Sequence, residues 1–208
     1  WIRFLTSHPK NFSYDLAVAM ASNRQVCHQL HLPVQSGSSQ VLTRMNRNYS
    51  RQDYLEKIDW LKSLMPDISL STDIIVGFPG ETEDDFGQTL ELIEQVGFTN
   101  IFSFRYSPRP LTRAARWDDD VPEEVKIKRL TELQKRQKEI QLKLNQKAVG
   151  QKQKVLALGR SKKGNLYTGR NEAYQVVNFS SDRELSPGFV EVVITGGGAY
   201  SLKGELSS

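Results

Sequence analysis

Residues 71–82, Ser71-Thr-Asp-Ile-Ile-Val-Gly-Phe-Pro-Gly-Glu-Thr82, decide the fold that this sequence predicts. A β-branched apolar run leads into a turn with Gly77, Pro79 and Gly80, and Thr82 then offers a side-chain oxygen to cap a helix. A buried strand that passes through a glycine turn into a capped helix is typical of a βα unit in a parallel sheet. The turn leaves bare backbone at the carboxyl end of the strand, where a ligand can approach closely.

Further βα units flank this segment. Ser50 and Asp53 form a capping-box pattern before one amphipathic helix, and Thr82 and Asp85 form another before a helix that Gly97 ends. These patterns alternate with β-rich apolar runs, which favours strands around a parallel sheet. The predicted strands are Ile2–Leu5, Leu30–Val34, Ser69–Val76 and Ile101–Tyr106.

The pattern changes toward the C-terminus. After Pro122, apolar residues recur in steps of three and four up to Lys147, which predicts one long helix that packs on a neighbouring part of the protein. Beyond Gly150, short strands separated by glycine-rich turns predict a small barrel of the OB type. The predicted barrel strands are Val155–Leu158, Leu166–Arg170, Gln175–Phe179, Val190–Thr195 and Ser201–Leu206. We therefore expect an α/β domain over residues 1–120, a connecting helix over 121–147 and a β-barrel over 148–208.

Charge is distributed unevenly over the 208 residues. The net charge of +4 arises from Lys147 onward, where nine basic residues face five acidic ones. This excess favours an anionic partner for the C-terminal segment. No stretch approaches the about 20 apolar residues that cross a bilayer, and no signal peptide is recognisable, so we expect a cytoplasmic protein with no membrane partner.

Cys27 is the single cysteine. One thiol excludes a disulfide within the chain and a cysteine-ligated metal site, so we interpret Cys27 as a small buried apolar side chain. The chain begins with the apolar run Trp1-Ile-Arg-Phe-Leu5, without a polar lead-in or an initiator methionine. We therefore expect it to be a piece of a longer protein.

A second polar turn is predicted at His31-Leu-Pro-Val-Gln-Ser-Gly-Ser38, where a strand again ends and a helix begins. Gln35 and Ser36 offer donors and acceptors there, and the guanidinium of Arg44 is suited to bidentate contact with a carboxylate. A solvated helix residue is the alternative interpretation of Arg44. Because the carboxyl ends of parallel strands share one edge of a sheet, we expect the turns after Val34 and Val76 to lie side by side.

Four motifs together resemble the radical S-adenosylmethionine methylthiotransferases. They are His31–Ser38, Val41-Leu-Thr-Arg-Met-Asn-Arg47, Thr72–Glu81 and Phe104-Arg-Tyr-Ser-Pro-Arg-Pro110. The resemblance covers nearly the whole chain and is closest to the branch that makes 2-methylthio-N6-isopentenyladenosine at position 37 of tRNA. It implies an α/β fold in which a partial (β/α) barrel of the radical S-adenosylmethionine type is followed by a small all-β OB-like barrel, the TRAM domain.

The resemblance also implies the cofactors. In this family S-adenosylmethionine is bound beside a cluster, and the parent enzyme carries two 4Fe–4S clusters whose cysteine ligands are absent from this chain. The two predicted turns would then form a shared cradle for a nucleoside. The implied cofactor-binding residues are Gln35, Ser36, Arg44, Asp73, Gly77, Pro79, Gly80 and Tyr106. No catalytic residue is assigned, and we expect the isolated chain to have no methylthiotransferase activity.

The resemblance of the tail to a TRAM domain implies RNA binding. Its expected partner is the anticodon stem-loop of a tRNA, bound by a parent enzyme that is a monomer and whose sulfur and electron donors stay undefined. The implied RNA-binding residues are Lys162, Lys163, Arg170 and Lys203. Tyr167, Tyr174 and Phe179 are either stacking faces for bases or, as we favour, residues of the barrel core.

Three alternatives stay open. In the first, the parent enzyme acts on threonylcarbamoyladenosine in tRNA. In the second, it modifies a ribosomal protein. In the third, the chain is a non-catalytic RNA-binding module with a degenerate barrel. Unchanged 2-methylthio-adenosines in a strain that lacks the gene would count against the isopentenyladenosine branch.

Overall fold

The structure is a computed structural model that describes residues 1–4, 8–161 and 166–207. Three parallel strands with flanking helices are followed by one long helix and a closed barrel of five strands. The predicted fold class, a mixed α/β part followed by a small β-barrel, is therefore confirmed. In chain order the elements are α1 (Tyr14–Ser22), β1 (Gln29–His31), α2 (Ser39–Arg44), α3 (Arg51–Leu64), β2 (Ser69–Val76), α4 (Glu83–Val96), β3 (Asn100–Arg105), α5 (Glu123–Lys147), β4 (Lys152–Arg160), β5 (Tyr167–Asn171), β6 (Val176–Ser180), β7 (Gly188–Gly197) and β8 (Leu202–Leu206), with short 3-10 helices at Pro9–Asn11 and Ala114–Arg116.

The parallel sheet has the strand order β1-β2-β3. Ser71 in the middle strand pairs with His31 of β1 and with Asn100 of β3. The middle strand occupies Ser69–Val76, as its β-branched run predicts, and β3 lies one residue earlier than predicted. One face of the sheet packs on α3 and α4, where Leu30, Ile74 and Val76 belong to a continuous apolar core.

The predicted strand Leu30–Val34 is wrong in its extent, because β1 ends at His31. Pro33 has no N–H to give to the ladder, and the N–H of Val34 donates instead to the hydroxyl of Thr72 at 2.8 Å. The predicted strand Ile2–Leu5 is represented by a single parallel bridge between Ile2 and Val26. Leu5 lies outside the described residues.

The helices α3 and α4 begin at the capping boxes that the sequence predicts. The Ser50 hydroxyl accepts from the Asp53 N–H while the Asp53 carboxylate accepts from the Ser50 N–H, and Thr82 and Asp85 repeat this arrangement. Gly97 ends α4 at φ 70°, a left-handed conformation that glycine adopts without strain. Both helices therefore have the bounds that local chemistry dictates.

Helix α5 spans Glu123–Lys147, as predicted, and packs on β3 and α4. Leu133 is fully buried in the apolar core, and Leu130 and Ile140 pack against it. Gln137 lies in the same buried stripe, where its Nε2 donates to the carbonyl of Phe98 at 3.0 Å. This hydrogen bond satisfies the amide nitrogen of a polar residue in an apolar seam, whereas Gln137 Oε1 is buried and has no partner among the described residues.

The barrel closes in the order β4-β5-β6-β8-β7, and its pairs are antiparallel except for β6 with β8. Its core contains Tyr167 and Phe179, whose rings stack with centroids 5.9 Å apart. Both aromatic residues are therefore core residues, as we favoured, and offer no face to a base. The predicted turn at 162–164 lies outside the described residues.

Among the described residues, no helix is long and apolar enough to span a bilayer. The same part of the chain contains no cluster of three or more His, Cys, Asp or Glu side chains arranged to ligate a metal ion. Cys27 is buried, which agrees with its interpretation as an apolar side chain.

Candidate functional site

The two polar turns lie side by side at the carboxyl edge of the sheet. The N–H of Gln35 donates to the carbonyl of Asp73 at 2.9 Å, and the N–H of Ile75 donates to the carbonyl of Gln35 at the same distance. This pair of hydrogen bonds extends the β1–β2 pairing beyond the end of β1. The expectation that the turns after Val34 and Val76 meet at one edge is confirmed.

Gln35 adopts φ 75°, which is uncommon for a residue with a Cβ atom, and its side chain is almost fully buried. Strained backbone of this kind clusters at binding sites, where the surrounding contacts hold it in place. Next to it, on the sheet face that does not pack on α3 and α4, Asp73 Oδ1 lies 3.5 Å from Nε2 of His31. The His31 Nδ1 atom lies 3.1 Å from the Ser71 hydroxyl, so three polar side chains form a connected row.

The turn after β2 depends on two glycines. Gly77 and Gly80 have φ 70° and 78°, which favours glycine at both positions. Above Gly80 lies the guanidinium of Arg44, whose Nη1 donates to the carbonyl of Pro79 at 3.1 Å. A Cβ atom on Gly80 would approach Arg44 Nη1 to 1.5 Å, so the missing side chain makes room for the arginine. Arg44 is exposed, as a solvated helix residue would be, and this hydrogen bond holds its guanidinium at the turn, so ligand contact by Arg44 stays a prediction.

The turn after Val34 is held by α4. Ser36 is fully buried, and its hydroxyl accepts from the N–H of Ser38 at 3.2 Å. The N–H of Gly37 donates to the Thr89 hydroxyl at 2.9 Å, and a Cβ on Gly37 would clash with the backbone of Thr89 at 2.5 Å. Ser38 also donates to Asp85 Oδ1 at 2.5 Å. These contacts show a packing role for Ser36 and Gly37, so ligand contact by Ser36 stays a prediction.

Tyr106 lies at the end of β3, next to the turn. Its N–H donates to the carbonyl of Val76 at 2.8 Å, and its ring meets Phe78 edge-on with centroids 5.0 Å apart. The ring of Trp117 also meets Phe78 edge-on, with centroids 6.0 Å apart. The hydroxyl oxygen of Tyr106 is buried and has no hydrogen-bond partner among the described residues, and burial raises the pKa of this hydroxyl. A buried hydroxyl without a partner is costly, which makes it a candidate group for a ligand.

Three further residues complete the turn after β2. Arg129 Nη1 donates to Glu81 Oε2 at 2.8 Å, the Gly80 N–H donates to Asp120 Oδ1 at 2.6 Å, and the stem of Lys126 packs on Gly77. Sequence reasoning missed these residues because they lie in the hinge and in α5. The spacing of α5 carried a signal for two of them. Lys126 and Arg129 stand four residues before the apolar residues at positions 130 and 133, so they lie on the same face of the helix.

The structure describes two of the four predicted RNA-binding residues, Arg170 and Lys203. Arg170 packs on the ring of Tyr174 at 4.4 Å, and its Nη1 donates to the carbonyl of Tyr174 at 2.8 Å. Tyr174 is exposed, so the prediction that it belongs to the barrel core is wrong. Lys203 is exposed on β8. Lys162 and Lys163 lie outside the described residues, so RNA contact at all four positions stays a prediction.

Comparison with known proteins gives the relatives of this chain. Residues 2–93 match the radical SAM superfamily. Two curated proteins named tRNA-2-methylthio-N(6)-dimethylallyladenosine synthase, from Syntrophobacter fumaroxidans and Solibacter usitatus, are 48% and 45% identical to it. The alignments cover 100% of this chain and 46% and 47% of the relatives. The chain therefore spans about half the length of the curated relatives it matches.

A solved structure shares the fold. Coproporphyrinogen III oxidase from Escherichia coli, described as a radical SAM enzyme, matches with a TM-score of 0.54 over 79% of this chain and 45% of that chain. Its sequence is 16% identical, so this likeness concerns the fold alone. The likeness to the radical SAM superfamily therefore rests on residues 2–93, and the solved structure adds a shared fold.

Proposed function

We propose that this chain is about half of a tRNA methylthiotransferase that converts N6-isopentenyladenosine at position 37 to its 2-methylthio derivative. The observation that carries the proposal is the pairing of Gln35 with Asp73 and Ile75 near the end of β2, because it places the turn after Val34 beside that strand at the edge where α/β sheets bind ligands. The curated relatives named for this reaction support the substrate.

The cradle fits the nucleoside part of S-adenosylmethionine. Gln35 is held in a strained conformation, Tyr106 has a buried hydroxyl with no partner in the part of the chain that the structure describes, and Asp73 would offer a partly exposed carboxylate to a ribose hydroxyl. Arg44, Pro79 and Gly80 shape the turn beside them through the contact of the guanidinium with the Pro79 carbonyl. These residues would bind and orient the cofactor and exclude water from it.

Bound S-adenosylmethionine would supply two things: the radical that activates C2 of the adenine, and the methyl group that the product carries. The described residues do not fit an iron–sulfur cluster, because such clusters need several thiolates and the single cysteine is buried. In our proposal the cluster ligands, and with them the radical chemistry, belong to the part of the longer protein that this chain does not include.

The β-barrel would hold the anticodon stem-loop. We assign it as a TRAM domain within the division 1–120, 121–147 and 148–208, in a cytoplasmic enzyme that acts as a monomer. Arg170 and Lys203, with Lys162 and Lys163, would contact phosphates, and the exposed Tyr174, whose ring lies against Arg3 and Arg170, would be one stacking face for a base. The positive excess from Lys147 onward supports an RNA partner.

The test is nucleoside mass spectrometry of tRNA from a strain that lacks the gene. We expect 2-methylthio-N6-isopentenyladenosine to disappear and its unmethylthiolated precursor to accumulate. Loss of a 2-methylthio derivative of threonylcarbamoyladenosine would instead select that substrate, and a changed mass of a ribosomal protein would select the protein-modifying branch. If neither tRNA nor ribosomal proteins change, a non-catalytic RNA-binding module is the better description.

A further inference from the structure

The turn Gly77–Glu81 is fixed by a residue that lies 48 positions further along the chain. Arg129, in the second turn of α5, donates from Nη1 to Glu81 Oε2 at 2.8 Å and to the carbonyl of Glu81 at 3.0 Å. The side chain of Glu81 is fully buried, and that of Arg129 is 7% exposed. A guanidinium and a carboxylate that are buried together in this way form a strong, directional contact.

Glu81 passes this contact on to the backbone of the turn. The same oxygen, Oε2, accepts the N–H of Gly77 at 2.6 Å, so one carboxylate atom joins Arg129 to the residue that follows β2. Gly77 has φ 70°, and its N–H reaches Glu81 only while the turn keeps this shape. Arg129 therefore stabilises the conformation of Gly77 without touching it.

Two neighbours of Arg129 act on the same turn. The stem of Lys126 covers Gly77 so closely that a Cβ there would lie 2.3 Å from Lys126 Cγ. Asp120, in the hinge before α5, accepts the N–H of Gly80 at 2.6 Å. The turn is thus held at both glycines by one short segment that lies outside the motif.

We propose that Arg129 is a positioning residue of the cofactor site: through Glu81 it holds the Gly77–Glu81 turn in the shape that binds the nucleoside. This inference rests on the proposed function, because it takes the cradle at the carboxyl edge as the cofactor site. Displacement of a binding turn by about 1 Å lowers affinity or rate by up to a hundredfold. The function of α5 is then to shape the site as well as to connect the two domains.

The charge of Glu81 gives this role a pH signature. Burial raises the pKa of Glu81, and the Gly77 N–H and the Arg129 guanidinium partly offset that rise. The other charged groups nearby are Asp85 on α4, which raises the pKa further, and Glu83, which pairs with Arg129. Without Arg129 the carboxyl group would bind a proton at a higher pH, and the protonated form holds Gly77 less strongly.

The first experiment is hydrogen exchange on this chain, which needs no cofactor. In Arg129→Gln we expect the Gly77 amide to exchange at least about tenfold faster than in the unchanged protein. Arg136→Gln is the matched control, because Arg136 lies two turns further along α5 and makes its ion pairs with Glu94 and Glu132 at the surface. We expect it to leave the exchange of Gly77 unchanged.

The second experiment measures S-adenosylmethionine affinity of the full-length, cluster-loaded protein by calorimetry. Arg129→Gln should weaken binding by about tenfold to a hundredfold, and the loss should grow as the pH falls. Arg129→Lys keeps the charge and should lose less. Asp120→Ala removes the contact with Gly80 from an exposed position, so it tests the turn even where Arg129→Gln does not fold.

The outcomes separate this inference from the function on which it rests. If the unchanged protein does not bind S-adenosylmethionine, the proposed function fails. If the unchanged protein binds it and Arg129→Gln, or Arg129→Lys where Arg129→Gln does not fold, binds it equally well at every pH, the positioning role of Arg129 is wrong. Equal losses in Arg129→Gln and Arg136→Gln would overturn it too, because they would indicate a general effect on α5.

Discussion

Asn145 and Gly198 join the last turn of α5 to the barrel, with Asn145 Nδ2 donating to the Gly198 carbonyl at 2.6 Å. The neighbouring Gly197 lies directly against the same turn, since a Cβ there would be 2.3 Å from the carbonyl oxygen of Asn145. Asn145 is almost fully buried, and its Oδ1 accepts from Gln175 on the other side. The barrel is therefore docked on α5 by close backbone contact.

Gly197→Ala should disturb this docking. The added methyl group meets backbone atoms that cannot rotate away, so we expect the free energy of unfolding to fall by about 1–3 kcal/mol. Denaturant unfolding followed by circular dichroism measures the change.

Gly196→Ala is the matched control for this substitution. A Cβ on Gly196 meets only the side chain of Lys203, at 3.7 Å, which is ordinary van der Waals contact. It should therefore change the free energy of unfolding much less than Gly197→Ala. Equal losses in the two variants would contradict the docking argument and would indicate a general cost of alanine in β7.

Tyr49 predicts a dependence of stability on alkaline pH. Its hydroxyl donates to the carbonyl of Val34 at 3.0 Å, just before the first polar turn, and burial raises its pKa to about 12. Because the folded state holds the proton more tightly than the unfolded state, this stability is complete below about pH 10 and is lost as the pH rises toward 12. The loss should reach about 2–3 kcal/mol.

Tyr49→Phe should reduce this alkaline dependence, as measured by denaturant unfolding at increasing pH. Some dependence should persist, because Tyr54 is fully buried and its pKa is raised as well. Tyr14→Phe is the control, since Tyr14 is 49% exposed. An unchanged pH profile in Tyr49→Phe would show that the loss of stability has another origin.

Much of the fold follows from local chemistry that the sequence displays. The capping boxes at Ser50 and Thr82 fix the starts of two helices, and the β-branched run before Gly77 fixes the central strand. These signals act over a few residues, so the sequence reveals them directly. The early end of β1 had a local signal in Pro33, which has no N–H for the ladder. The hydrogen bond from Val34 to the hydroxyl of Thr72, 38 residues away, was not predictable in this way.

The candidate site shows the same division. The motifs predicted the two turns and their meeting, because parallel strands must present their carboxyl ends together. They did not predict that Ser36 would be buried against α4, nor that Glu81 would pair with Arg129. Both contacts depend on how the helices pack on the sheet. The spacing of apolar residues shows which face of a helix is buried, but it does not show which residues that face contacts.

The burial of Cys27 leads us to expect that reconstitution of an iron–sulfur cluster on this chain fails. The cysteine is 1% exposed, and burial raises its pKa, so little thiolate forms near neutral pH. Incubation of this chain with iron and sulfide under reducing, anaerobic conditions should give no stoichiometric 4Fe–4S absorbance. The full-length protein is the positive control. A stoichiometric cluster on this chain, kept in Cys27→Ser, would show ligands other than cysteine and would contradict the proposed location of the cluster ligands.

Lys203 predicts how RNA binding depends on salt. Each lysine that neutralises a phosphate releases condensed counterions, so its loss reduces the slope of log affinity against log salt by about 1. Lys203 is exposed on β8 of the proposed RNA-binding barrel, and Lys203→Ala should weaken binding of an anticodon stem-loop and reduce this slope.

Lys128→Ala, which removes an exposed lysine from α5, is the matched control and should leave the slope unchanged. Fluorescence anisotropy over a series of salt concentrations measures both quantities. Equal slopes for Lys203→Ala and the unchanged protein would remove Lys203 from the RNA-binding surface, because an electrostatic contact cannot be lost without a change in counterion release.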